Sequence, residues 1–469
     1  MTTTLEPDIK LDDTAEDHRR IRRFERRVGI TASGGKFCDG WILAVIGVVL
    51  PAATTSLDIS LVGQGLLGAA SLLGIFFGGL LFGWVTDRIG RKKMFQFTLT
   101  AFLVCSILQL WAADTWQLFA LRLIMGMAVG ADYTIAGSMI AEFVSSKKRG
   151  PYLAGMIAWW YAGFSLAATF GYLILAAFPE EPDLWRWVLA SSAVPALAVI
   201  LGRIGMPETP RWLARQGRRA EAITIANRYL NLANRQDLFQ EESAQVGYST
   251  LFSKPFIRRT LFTSIFWATQ VAPFFAIFTF LTPVLDGLGL GIEGQWAEIA
   301  FYMVLLVGSF IGAGIINKVG RRQLLIVPYF FQAGAMLLLG LWTGAPAGIL
   351  VACFITFALF SSASNVLQML YPSEIFPTAI RATGIGFSAA MSRIGAAGGT
   401  FLLPLGLDAW GTGPVMLISA GILVVGLIVS IAWAPETTDM ELSASTATGS
   451  IPVADLASAN LPGATPPRQ

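Results

Sequence analysis

The segment Gly83-Trp84-Val85-Thr86-Asp87-Arg88-Ile89-Gly90-Arg91-Lys92-Lys93 lies between two apolar runs, and a shortened copy of it, Asn317-Lys318-Val319-Gly320-Arg321-Arg322, lies between two more, 230 residues downstream. Two further elements return at nearly the same offset. Glu142 and Arg149, seven apart, are answered by Glu374 and Arg381 at an offset of 232, and Pro207-Glu208-Thr209 by Pro435-Glu436-Thr437 at 228. Three elements in one order, within four residues of a common offset, are how a duplicated membrane fold shows itself in a single chain. Gly83, Asp87, Arg88, Gly90 and Arg91 read as a tight turn between two helices with a carboxylate among guanidinium groups. Such ion pairs can latch one face shut and release it when the halves rock. A plain basic loop would leave the repeat unexplained. Gly320 and Arg321 mark the second turn, where Asn317 in place of Asp87 makes the latch electrostatically weaker.

The rest of the chain agrees with a membrane fold. Of 469 residues 54% are apolar and only 13% charged, about half the charge of a soluble domain. Of the 63 charged residues, 14 fall in residues 1–30, 15 in 203–259 and 5 in 435–469, which leaves long quiet stretches between. Twelve of these reach the roughly 20 residues needed to cross a bilayer, so the expected fold class is all-α and polytopic, twelve transmembrane helices in two pseudo-symmetric six-helix bundles. The spacing predicts a tail over 1–28, bundles over 29–205 and 260–434, a central loop over 206–259, and a tail over 435–469 that is Ser-, Ala-, Thr- and Pro-rich and largely disordered. Basic residues cluster in alternate loops, at 88–93, 147–149, 318–322 and 381, whereas the remaining loops carry acids such as Asp58, Asp114, Glu293 and Asp408. Basic residues accumulate on the cytoplasmic side, so both termini are expected there, in a multi-pass plasma-membrane protein. The chain lacks the pattern of a cleaved signal peptide. The 33 basic and 30 acidic residues form no basic stripe for nucleic acid. Cys38, Cys105 and Cys353 have no metal-ligand spacing, and the single histidine lies in a charged tail, so neither a metal, a cofactor nor an enzyme's nucleophile and base is expected.

GWVTDRIGRKK resembles the signature loop of the major facilitator superfamily. EFVSSKKRG, MPETPRWL, YPSEIFPTAIRATG and APETTDMEL resemble further signatures of its sugar-porter-type branch, and the resemblance extends from about residue 30 to 442. It implies two six-helix bundles around a central cavity, working by alternating access, as in bacterial metabolite:proton symporters for aromatic acids, niacin and phosphate.

Five ionisable residues lie at membrane depth, where each costs at least roughly 2.5 to 3.5 kcal/mol unless paired or functional: Lys36, Asp39, Arg122, Asp132 and Arg393. Asp39 and Asp132 are candidate proton carriers. Alternatively Asp39 forms a permanent pair, with Lys36 at i, i+3 or with Arg122 across the bundle. Arg122 matches the fourth-span arginine of sugar-porter-type symporters, but their acid follows a Gly-aromatic pair, where this chain has Gly40-Trp41-Ile42. Gly130-Ala131-Asp132-Tyr133 resembles the fourth-span motif of phosphate:proton symporters, which implies that Tyr133 faces substrate; packing is the alternative. Arg393 is either a tie to a carboxylate such as Asp132 or a bidentate clamp for a carboxylate or phosphate. Organic-anion carriers resembling this chain place a basic residue there. With both aspartates ionised the five charges sum to +1, which suits an anion.

Trp159, Trp160 and Tyr161 on the fifth span, Trp267 and Gln270 on the seventh, and Asn365 and Gln368 on the tenth are candidates to complete the pocket. Sugar porters usually carry a glutamine where this chain has Ile157, and a second seventh-span glutamine where it has Thr269. The expected function is therefore proton-coupled uptake of a small organic anion, a carboxylate, aromatic or not, by a monomer in the lipid bilayer whose partners are that substrate and protons. The alternatives are a sugar or polyol:proton symporter, export by proton antiport, disfavoured because the fifth span has no Gly-Pro pair, and a non-transporting sensor, disfavoured by the short tail.

Overall fold

A computed structural model describes residues 14–231, 248–290, 296–316, 318–377 and 380–437. Asn317, the loop around Glu293, the tail from 438 onward, and the side chains of Asp87 and Arg149 lie outside the described residues. Five long helices open the chain: α1 (Ala15–Leu57), α2 (Leu61–Ile89), α3 (Arg91–Leu108), α4 (Thr115–Phe143) and α5 (Ser146–Ala177). The sixth span is broken into α6 (Leu184–Ala190) and α7 (Ala193–Arg203). Two short helices follow in the central loop, α8 (Pro210–Arg215) and α9 (Arg219–Tyr229). The second half contains α10 (Ile257–Thr279), the short α11 (Leu281–Gly287), α12 (Trp296–Ile315) and α13 (Arg321–Leu341). Its tenth span is again broken, into α14 (Ala347–Asn365) and α15 (Leu367–Ile375), before α16 (Arg381–Trp410) and α17 (Thr412–Trp433).

Eleven of these spans are long and apolar enough to cross a membrane. The twelfth, α16, has 30 residues, but its apolar character is diluted by Arg393 and by glycines 384, 386, 395, 398 and 399. The fold is the expected all-α, twelve-span membrane architecture. Its outer surface confirms the solvent: Phe97, Phe310, Phe330, Leu402 and Ile428 are 54–63% exposed, which suits lipid and not water.

The duplication is visible in the packing. In the first half α1 lies against α5 and α2 against α4; in the second, α10 lies against α16 and α12 against α14, the same pairs of spans six places on. The halves meet through α2 with α16 and α5 with α12, a symmetric exchange. The first broken span is mended by serines, as buried backbone at membrane depth requires. At the α6–α7 break Ser191 and Ser192 donate to the carbonyls of Val188 and Leu189 at 2.6 and 2.7 Å, and Trp41 donates to Ser191 at 3.0 Å. The α14–α15 break at Val366 sets Asn365 and Gln368 side by side.

The segment expected as a tail over 1–28 is helical from Ala15. A capping box of Thr14 and Asp17 starts α1, because the Thr14 hydroxyl accepts from the Asp17 amide while the Asp17 carboxylate accepts from the Thr14 amide. Helix α1 has 43 residues, roughly 65 Å at 1.5 Å per residue, about twice the hydrocarbon thickness.

Candidate functional site

The two repeated loops build two copies of one charge network. In the first, the Glu208 carboxylate accepts from the backbone amides of Arg91 at 3.1 Å and Lys92 at 3.1–3.2 Å, capping the N-terminus of α3. Arg91 reaches Glu142 at 3.4 Å and the Thr209 hydroxyl at 3.2 Å. In the second, Glu436 accepts from the amides of Arg321 at 2.8 Å and Arg322 at 3.2 Å, capping α13, while Arg321 forks onto Glu374 at 3.2 and 3.4 Å and Thr437 donates to Glu374 at 2.5 Å. Each pairs the arginine after the loop glycine with a glutamate from the end of span 4 or 10. Glu208 and Glu436 were legible only as part of a repeat, and their capping role comes from the structure. Arg88 is exposed, and Arg381 donates to the Phe376 carbonyl at 3.2 Å.

Both loop glycines lie close against the capping carboxylates. A Cβ on Gly90 would stand 2.5 Å from the Glu208 carboxylate, and one on Gly320 2.3 Å from that of Glu436. Gly90 also has φ +105°, a conformation L residues rarely adopt. Gly90→Ala should therefore lower stability by about 1–3 kcal/mol, a cost typical of such strained backbone. Melting of the purified protein checks this, with Gly386→Ala, where a Cβ would meet nothing within 4 Å, as the control that should move little.

At membrane depth one charge pair is among the expected alternatives and the other is not. Asp39 pairs with Lys36, Oδ2 to Nζ 2.9 Å, one helical turn away on α1. The Lys36 ammonium lies 3.0 Å from the centre of the Tyr133 ring. Asp132 pairs with neither Arg393 nor Arg122 but with Arg203, at the end of α7, at 3.2 Å. Arg203 is 2% exposed, also donates to the carbonyls of Phe95 at 3.0 Å and Thr31 at 3.2 Å, and stacks 3.1 Å from the Phe95 ring. Four directed contacts lock it. Gly35 makes room for the pair, since a Cβ there would lie 2.6 Å from both Arg203 and Asp132.

Arg122 is fully buried and has no carboxylate partner among the described residues. One terminal nitrogen donates to the Ile42 carbonyl at 3.0 Å, and Nε and Nη1 have no partner. Ile42 follows the Gly40-Trp41 pair, so the residue whose carbonyl Arg122 meets is an isoleucine and offers no side-chain charge. Arg393, 5% exposed, has no acidic partner among the described residues. It points one nitrogen at the Tyr133 hydroxyl of the other half, 3.4 Å away, with the Tyr133 and Phe275 rings 5.5 and 5.7 Å from its guanidinium carbon.

Beside this cluster a line of amides crosses from half to half. Gln270 donates to Ser364 at 2.8 Å, Gln368 donates to Gln270 at 3.3 Å and to Asn365 at 2.8 Å, and Asn365 donates to the Tyr161 hydroxyl. Trp160 stacks on Phe164 with centroids 4.9 Å apart and meets Phe275 edge-on at 6.0 Å. The indole nitrogens of Trp160 and of buried Trp267 have no partner. Trp159 is 52% exposed and meets the Phe37 ring edge-on at 6.3 Å. The structure thus gathers Lys36, Asp39, Asp132, Tyr133 and Arg393 with the amide line and Trp160, and adds Arg203, which sequence placed at the edge of the central loop.

The chain matches the sugar (and other) transporter family over residues 28–447. It is 36% identical over 440 residues to the inner membrane metabolite transport protein YgcS of Escherichia coli (strain K12), covering 93% of this chain and 96% of that one. It is 25% identical to the major myo-inositol transporter IolT of Bacillus subtilis (strain 168), with 89% and 93% covered. Among solved structures it is similar to the major facilitator superfamily proton:xylose symporter XylE bound to 6-bromo-6-deoxy-D-glucose, with TM-score 0.74 and 20% identity over 91% of this chain and 99% of that one. The fold and the charge networks define a twelve-span secondary transporter. The chain belongs to the sugar (and other) transporter family of the major facilitator superfamily, and is not an enzyme.

Proposed function

We propose that this transporter takes up a small organic carboxylate together with a proton. Arg393 carries this reading: a planar, permanently charged group, buried, with no acidic partner among the described residues and aimed across the interface of the halves. An anion held there would touch Tyr133 of the first half and Arg393 of the second, so that its presence couples their movement. The buried charge balance points the same way. Lys36, Arg122, Arg203 and Arg393 outnumber Asp39 and Asp132 by two when all are ionised. Asp39 is the better proton carrier of the two acids: each has one cationic partner and one unpartnered carboxylate oxygen, but the partner of Asp132 is held by two backbone carbonyls and a ring, whereas that of Asp39 rests on the Tyr133 ring alone.

Uptake into proteoliposomes from panels of carboxylates, sugars and organic cations tests this. A carboxylate accumulated faster with acid outside is the expected result, and transport of a neutral sugar alone would overturn it. A polyol substrate is the second reading, favoured by the amide line through Gln270, Asn365 and Gln368 and by the similarity to a myo-inositol transporter. For a polyol, Gln270→Ala should abolish binding; for a carboxylate, Arg393 should dominate.

The loop charges support a cytoplasmic location for both termini. A cysteine placed in loop 291–295 should react with an impermeant maleimide on intact cells, with little background because Cys38, Cys105 and Cys353 are buried. Labelling only after permeabilisation would reverse the orientation.

A further inference from the structure

The stretch of α1 ahead of the membrane has two faces. Ile21, Phe24, Glu25 and Val28 are buried against the protein. Phe24 packs edge-on against Phe143, with centroids 5.1 Å apart, and against Tyr229 of α9 at 4.2 Å. Glu25 accepts from the Ser145 amide at 3.0 Å and pairs with Lys148 at 2.8 Å, both at the turn between α4 and α5. Arg27 donates to the carbonyls of Gly202 and Ile204 at the end of the sixth span. This face is a strap that joins the turn after span 4, the end of span 6 and the central loop.

The other face is a row of arginines. Arg19, Arg22, Arg23 and Arg26 fall at helical spacing on one side, all exposed, and none forms an ion pair with a carboxylate among the described residues; Arg22 alone bonds, to the His18 carbonyl of its own helix at 3.4 Å. Of the acids of the same stretch, Asp17 is used on Arg20 and Glu25 on Lys148, while exposed Glu16 lies one turn before Arg19 at the start of the row. One turn beyond Arg26 is Ile30, 57% exposed, where the helix begins its lipid-facing stretch. Four like charges on one face of a helix repel one another, and no ion pair among the described residues relieves them.

We propose that this arginine face binds the anionic phospholipid headgroups of the leaflet that α1 enters, and that the bound lipid steadies the strap beneath it. Charge complementarity and position fix the occupant. The row is continuous with the transmembrane part of the same helix, which brings Arg26 and Arg23 to headgroup level and leaves Arg22 and Arg19 within about 10 Å of Arg26 along the axis, near the Debye length over which the surface charge acts. A guanidinium forks onto a phosphate diester as it does onto a carboxylate. Because the opposite face of the helix holds the turn that follows Glu142, lipid bound outside is mechanically linked to the α4 end of the first charge network.

The test uses the full chain in neutral detergent, titrated with phosphatidylglycerol or phosphatidylcholine, with retained lipid counted by native mass spectrometry and stability followed by thermal melting. Wild type should retain phosphatidylglycerol preferentially and melt higher with it, and high salt should remove both effects. Combining Arg19→Gln, Arg22→Gln, Arg23→Gln and Arg26→Gln should cost roughly a thousand-fold of that preference, taking about 1 kcal/mol per arginine near an anionic surface. The four Arg→Lys changes should keep most of it, which separates charge from packing. Equal retention of the two lipids by wild type would overturn the proposal. So would a Gln variant that melts as wild type in phosphatidylcholine and still responds fully to phosphatidylglycerol, since the anionic lipid would then act at another basic loop or as bulk solvent only.

Discussion

Arg393→Gln should leave a well-folded protein that no longer binds its substrate. No carboxylate among the described residues depends on Arg393, so its removal strands no buried acid there. What is lost is the substrate's charge partner, and for a desolvated pair that loss is about 2–5 kcal/mol, roughly 30-fold or more in affinity. Arg393→Lys keeps the charge but not the planar fork and should raise the apparent Michaelis constant while preserving some transport. Tyr133→Phe should have a smaller effect, since the Arg393–Tyr133 contact is long at 3.4 Å and the ring that Lys36 covers remains. The measurement is ligand-induced thermal stabilisation of purified variants, with monodispersity by gel filtration as the folding control. A folded Arg393→Gln protein that binds as tightly as wild type would return Arg393 to the role of a tie between helices.

Much of this architecture could be read directly from the residues, for identifiable reasons. The twelve spans follow from charge depletion, and the two networks from a repeat that keeps Gly90 and Gly320, Glu142 and Glu374, and the two Pro-Glu-Thr elements in register. The Lys36–Asp39 pair is a local i, i+3 relation on one helix and so was among the expected alternatives. Arg203 escaped because an arginine at a span's end looks like one more loop charge; only the packing of α7 against α3 carries it to Asp132. The bond from Asn365 to Tyr161 joins residues 204 apart on different halves, and no periodicity encodes such a meeting. The breaks in spans 6 and 10 were invisible for a related reason. An apolar run of the right length reads as one helix, and the serines that make a break tolerable are also ordinary in intact spans.

The two aspartates should part company on mutation. Asp132→Asn removes the partner of a guanidinium that is 2% exposed and fixed by carbonyls on two other helices, so Arg203 cannot swing away to water. An uncompensated buried charge of this kind costs about 3–5 kcal/mol, and the variant should be recovered poorly or not at all. Replacing both members, Asp132→Leu with Arg203→Met, removes the stranded charge together with its partner and should restore much of the yield. Asp39→Asn is different, because Lys36 retains the Tyr133 face and an amide oxygen one turn away. If Asp39 is the proton carrier, this variant behaves as the permanently protonated form. It should fold and exchange substrate in counterflow, which needs no net proton movement, yet fail to accumulate it when the outside is made acidic. In wild type, by contrast, lowering the external pH should raise uptake, because protonation on that side loads the carrier. Full gradient-driven accumulation by Asp39→Asn would exclude Asp39 as the coupling site. Recovery of Asp132→Asn at wild-type yield, with that gradient response abolished, would move the proton to the Asp132–Arg203 pair and make the apparent structural bridge the working one.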